Sequence, residues 1–162
     1  MCIRDSLKAI QLMWKQVYIL VKKTFQKDIR KIGSGNPGMM NVLDNFGKRY
    51  AYFVGTVDIL KGIIAVSIAK LYSPNETVAV LAGLTAIAGH DFTPFLKFKG
   101  GNGVATGGGA VLALMPLASG IACMTGLITA IVVKSRRFGG NIAVILVPIM
   151  GFYMDESNIS RL

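Results

Sequence analysis

This sequence is short of acid, histidine, cysteine and tryptophan. Its 162 residues hold eight acidic side chains against 18 lysines and arginines, with one His, two Cys and one Trp. A single histidine, His90, excludes a multi-His metal site. Cys2 and Cys123 have neither framework nor metal-ligand spacing, which excludes a disulfide scaffold. There is no Gly-x4-Gly-Lys-Ser/Thr phosphate loop and no Gly-x-Ser-x-Gly elbow. His90 has no suitable Ser and Asp beside it for a triad. Charged residues make up only 16% of the chain, while 52% is hydrophobic. Such a chain is not disordered, and it is more apolar than most soluble domains. Its apolar residues fall in long runs, which read as membrane spans. The net charge of +10 then faces anionic lipid heads, phosphorylated substrates, or both. No nucleic-acid partner is expected.

From the N-terminus, Leu7 to Val21 is a short apolar run carrying Lys8 and Lys15, read as an incomplete first span. Lys22 to Arg49 is a basic polar loop, cytoplasmic by its charge bias. Tyr50 to Tyr72 is long enough to span and holds Asp58 and Lys61, three apart and so on one helical face. Charges inside a span are functional suspects; a pair that fixes packing explains them equally well. A turn at Ser73–Glu76 precedes a return span, Thr77 to Gly89, and a second polar loop with Lys97 and Lys99. Val104 to Val133 is interrupted by Gly107–Gly109 and Pro116. It reads as one long tilted helix or two pieces, and the basic loop Lys134–Arg137 favours two. Asn141 to Met154 is the last apolar run. The expected fold is an all-α polytopic transmembrane bundle, a single membrane-embedded domain over 1–162, with short cytoplasmic glycine-rich loops. The C-terminus is expected to be incomplete, like the first span.

Two loops have the composition of anion cradles. The first is Gly33-Ser34-Gly35-Asn36-Pro37-Gly38 with Asn41, flanked by Arg30 and Lys31. Glycines permit positive φ and let successive N–H groups converge on an anion; a plain inter-span turn has the same composition. The second runs from Gly89-His90 through Lys97, Lys99, Gly100, Gly101, Asn102 and Gly103 to Val104-Ala105-Thr106. There a helix N-terminus would aim N–H groups at an anion, and His90 would handle a proton or simply bond to backbone.

These segments are recognisable. Asp28-Ile29-Arg30-Lys31-Ile32-Gly33-Ser34-Gly35-Asn36-Pro37-Gly38 with Asn41-Val42-Leu43 resembles the first motif of the bacterial acyl-phosphate glycerol-3-phosphate acyltransferases. Asp58-Ile59-Leu60-Lys61-Gly62 resembles the span that follows. Gly89-His90 with Phe95 to Gly101 and Gly103-Val104-Ala105-Thr106 resembles the second motif. The resemblance implies a multi-pass enzyme of the bacterial inner membrane. Its partners are acyl phosphate, glycerol 3-phosphate and membrane lipids, its product is lysophosphatidic acid, and no metal or other cofactor is implied. Arg30, Ser34, Gly35, Asn36, Asn41, Gly100, Gly101 and Thr106 would then bind substrate phosphate. His90, Lys99 and Asn102 would serve the reaction, His90 by orienting substrate or passing a proton. This chain has Met39-Met40 where the family usually has Ala-Thr, Asp44 where it has a basic residue, and Asn102 where it has Lys. Of a third motif, His-Arg-x-Asn-Ile, only Asn158 and Ile159 stand, with Arg161 further on. Two other readings stay open: an inactive homologue that binds phosphate or lipid, and a small transporter.

Overall fold

The computed structural model describes residues 21–92 and 100–154, the side chains of Arg136 and Arg137 excepted. The described residues are helical and contain no strand. The helices are α1 (Met39–Phe46), α2 (Lys48–Tyr72), α3 (Glu76–Asp91), α4 (Val104–Leu114), α5 (Pro116–Val132) and α6 (Arg136–Met154). Two compact units divide the chain, Met1–Ala110 and Val111–Leu162.

In the first unit, α2 has 25 residues, about 37 Å at roughly 1.5 Å per residue. It exceeds a hydrocarbon core of roughly 30 Å. Among the described residues it is the one helix long and apolar enough to cross a membrane, with shorter apolar helices following. It stops where Pro74 cannot continue it; the Ser73 N–H closes the last turn on the Ala69 carbonyl at 3.0 Å. α3 begins at Asn75, whose side chain accepts from the Thr77 N–H at 2.9 Å, a standard N-cap.

α2 and α4 touch backbone to backbone. A Cβ on Gly62 would strike the Thr106 carbonyl and the Ala110 nitrogen, and one on Gly109 would strike the Ile59 carbonyl. Small residues allow this approach, as at many membrane helix contacts. It brings the Asp58–Lys61 turn of α2 against Thr106.

The basic stretch Lys22–Arg49, expected as a loop, is instead a built element. It contains a 3-10 turn at Ile29–Lys31 and the helix α1. Val21, Ile29, Val42, Ala51 and Val54 form its core. Phe25 packs against Phe46 and Tyr50, each at a ring separation of 4.9 Å. The lysines are solvated around a small apolar plug, which composition alone concealed.

In the second unit, the break in the long apolar run falls at Pro116. The glycine triplet Gly107–Gly109 lies inside α4. Met115, before the proline, has φ −133° and ψ 73°, outside the α region that a residue preceding proline avoids. Ser119 Oγ donates to the Met115 carbonyl at 2.6 Å. The two-piece reading holds, broken by the proline. α6 starts at Arg136, earlier than the expected Asn141. α5 and α6 pack closely where Gly126 faces Gly139 and Ala143. Their outer faces expose Leu127, Ile128, Ile131, Val144 and Ile145, an apolar surface suited to lipid.

Candidate active site

The first glycine loop is held from beneath by α1. Asn41 is 5% exposed. Its Oδ1 accepts from the Ser34 N–H at 3.1 Å, and its Nδ2 donates to the Ile32 carbonyl at 3.0 Å. Asn45 Nδ2 donates to Asn41 Oδ1 at 3.0 Å, fixing the amide. Gly33 and Gly35 have φ of +57° and +70°, the left-handed region that glycine enters freely. Asn36 Oδ1 accepts from the Gly38 N–H at 3.0 Å. Arg30 is clamped to Asp28, Nη2 to Oδ2 at 2.6 Å and Nε to Oδ1 at 2.9 Å. The Arg30 side chain holds the Asp28 carboxyl down to about 2, with its backbone N–H helping.

The second loop returns onto the C-terminal end of α3. The Gly100 N–H donates to the Asp91 carbonyl at 2.9 Å. A Cβ at Gly100 would collide with the carbonyls of His90 and Asp91, and one at Gly101 with His90 Nε2. These two glycines are therefore required by the chain's own close approach. Gly103, with φ +62°, leads into α4. There Thr106 Oγ1 lies 3.1 Å from His90 Nδ1.

The loops meet: Asn36 Nδ2 donates to Asn102 Oδ1 at 2.8 Å across 66 residues of sequence. Behind them lies a buried polar group. Lys61 Nζ donates to Asp58 Oδ1 at 2.9 Å, and the same oxygen is 3.7 Å from His90 Nδ1. Lys61, Asp58 and His90 are 0%, 2% and 3% exposed.

Of the anticipated site residues, Ser34, Gly35, Asn36 and Asn41 share the first loop, and His90, Gly100, Gly101, Asn102 and Thr106 the second. Ser34 and Asn102 are exposed, while Asn41, His90 and Thr106 are buried supports. Arg30 is engaged by Asp28. Lys99, Lys97 and the segment Asp155–Ile159 with Arg161 lie outside the described residues, as does the run from Leu7 as far as Leu20. Sequence reasoning paired Asp58 with Lys61 but did not connect them to His90. The usable signal was two charges inside one apolar run.

A model of the family described as glycerol-3-phosphate acyltransferase matches residues 15–161. The chain belongs to that family. A glycerol-3-phosphate acyltransferase of Thermoanaerobacter pseudethanolicus is 43% identical over 122 residues, 75% of this chain and 61% of the relative. One from Deinococcus radiodurans is 47% identical over 103 residues, 60% of this chain and 52% of the relative. The chain thus spans less than two thirds of the length of these relatives. Among solved structures, it is similar to PlsY, an integral membrane glycerol 3-phosphate acyltransferase, in its glycerol 3-phosphate form. That match has a TM-score of 0.74 and 28% identity, covering 90% of this chain and 78% of PlsY. The lysophosphatidic acid form gives a TM-score of 0.62 at 25% identity, with 98% and 90% covered. Family, helical fold and apolar outer faces together make this acyltransferase-family chain a membrane protein.

Proposed function

We propose that this chain transfers a fatty acyl group from acyl phosphate to the 1-hydroxyl of glycerol 3-phosphate, releasing lysophosphatidic acid. It would do so as a multi-pass protein of the bacterial inner membrane, with both glycine loops on the cytoplasmic face. The observation that carries the reading is the Asn36–Asn102 hydrogen bond. Donor and acceptor each bring a phosphate, and two joined glycine loops supply one place for both.

In this reading the glycerol oxygen attacks the acyl carbonyl carbon. The new ester C–O bond forms, the carbonyl–phosphate C–O bond breaks, and phosphate departs with the electron pair and takes up the hydroxyl proton through solvent. An acyl phosphate is already an activated anhydride, so orientation and hydrogen bonding to the developing oxyanion supply the catalysis. Ser34, Asn36 and Asn102 offer neutral donors, and Arg30 and Lys99 the charge. Gly101 offers a backbone N–H group, while Gly35 and Gly100 shape the cradles, their N–H groups closing the loops on the Ile32 and Asp91 carbonyls. Asn41 and Thr106 hold the loops, and His90, buried beneath Gly101, orients the second loop.

The test is purified full-length chain in lipid vesicles, given acyl phosphate and glycerol 3-phosphate, with acyl-CoA as control. Lysophosphatidic acid from acyl phosphate alone is expected. Folded protein that binds glycerol 3-phosphate but forms no product would instead identify a binding homologue. The uncharged Asn102 is the feature that favours that second reading.

A further inference from the structure

The Asp58–Lys61 pair has no part in the chemistry above, yet it is the most deeply buried charge in the described chain. Burying two charges is costly, and their attraction offsets that cost only with good geometry. Here the geometry includes a third group. Asp58 Oδ1 accepts from Lys61 Nζ at 2.9 Å and lies 3.7 Å from His90 Nδ1. Thr106 Oγ1 reaches the same nitrogen at 3.1 Å. The other ring nitrogen, Nε2, lies against Gly101, where no Cβ fits. Three elements therefore grip one imidazole: α2 through its carboxylate, α4 through its hydroxyl, and the second loop through a glycine.

We infer that Asp58 and Lys61 are positioning residues for the acyl-transfer site, acting through His90. The carboxylate places negative potential at Nδ1, and the partner at one ring nitrogen decides which nitrogen carries the proton. The Nδ1 proton is donated to Thr106 Oγ1, with the carboxylate behind it. Nε2 is left as a lone pair facing the Gly101 backbone. Lys61 holds the carboxylate in place. The second loop then rests on a ring of fixed orientation and tautomer, as metal-bound histidines are oriented by carboxylates behind them.

The inference rests on the acyl-transfer reading only for what the loop is positioned to do; the state of the ring is read without substrate. The chain has one histidine, so ring-15N histidine labelling of the full chain in lipid gives one pair of nitrogen signals. Wild type is expected to show a protonated, pyrrole-type Nδ1 and a pyridine-type Nε2. The double variant Asp58→Asn/Lys61→Gln removes both charges and strands neither. It should move the proton toward Nε2 and lower kcat/KM on the order of tenfold through loop misplacement. Thr106→Val leaves the carboxylate and should keep Nδ1 protonated, which covers a double variant that does not fold. A wild-type ring protonated at Nε2 overturns the inference, as does a double variant with wild-type signals. Expected ring signals without acyl transfer in any protein would leave the positioning intact and sink the acyl-transfer reading instead.

Discussion

Asn102 is the residue on which the two loops close, and its substitution separates two roles. Asn36 Nδ2 donates to Asn102 Oδ1 at 2.8 Å, while Asn36 Oδ1 is committed to the Gly38 N–H at 3.0 Å. The Asn36 amide therefore cannot flip without losing the second bond, and position 102 must supply an acceptor to keep the bridge. Asn102→Ala removes that acceptor and a donor to ligand. A neutral hydrogen bond is worth about 0.5–1.5 kcal/mol, which is about two- to tenfold in glycerol 3-phosphate KM at about 1.4 kcal/mol per decade. Asn102→Asp keeps the acceptor and strengthens the bridge, but sets a carboxylate beside phosphate. Like charges about 4 Å apart cost about 1 kcal/mol in water and about 4 kcal/mol at a protein surface, so KM should rise at least about fivefold. Asn102→Lys loses the bridge, because an ammonium only donates. It gains a charged bond worth about 1.5–3 kcal/mol, for a net gain of about 1 kcal/mol, or severalfold. The assay is steady-state acyl transfer with glycerol 3-phosphate varied. An Asp variant with wild-type KM beside a weakened Ala variant would show a latch remote from phosphate and refute the ligand role.

The remaining expectations concern topology, pH and the fit of the second loop. Single cysteines at Lys27 and Lys97, in a chain with Cys2 and Cys123 replaced, should label from the same membrane face; labelling from opposite faces would break the shared-site proposal. Asp28 has a folded pKa of about 2 against an ordinary 3.8, so its stabilisation is complete above the higher value and is lost as pH falls through the lower. The thermal midpoint should drop between about pH 4 and about pH 2; a drop of the same size in Asp28→Asn would assign it elsewhere. Gly101→Ala should destabilise by about 1–3 kcal/mol, the usual cost of overpacking, and adding His90→Ala should restore part of it by thermal unfolding. A neutral Gly101→Ala would mean that the ring yields freely.

The helices that cross apolar territory were legible because length and hydrophobic runs mark them directly. α2 was expected from Tyr50 and begins at Lys48, two residues earlier. The break at Pro116 was among the options, and the missing proline N–H decides it. The basic region before α2 was not legible. Its fold depends on Val21, Ile29 and Val42 meeting Ala51 and Val54, contacts that no local period announces. The glycine loops were visible as motifs, but one cause of their glycines was not. Phosphate approach was the expected reason for Gly100 and Gly101, whereas the His90 ring and the carbonyls at the end of α3 already require them. The Asn36–Asn102 bond was beyond reach from sequence, since neither side chain has a spacing that points 66 residues away.

Where the charges went bears on how such a site would select its ligands. Arg30, which stands beside the first loop, is clamped by Asp28, and Lys61 is buried on Asp58. Among the described residues, Ser34, Asn36 and Asn102 bring neutral groups that donate and accept to the two loops. Neutral groups discriminate by direction and by hydroxyl pattern more than by charge, because each donor left unmatched costs its desolvation. This division suits a reaction whose leaving group is already activated, in which placing two phosphorylated molecules matters more than supplying a strong acid or base.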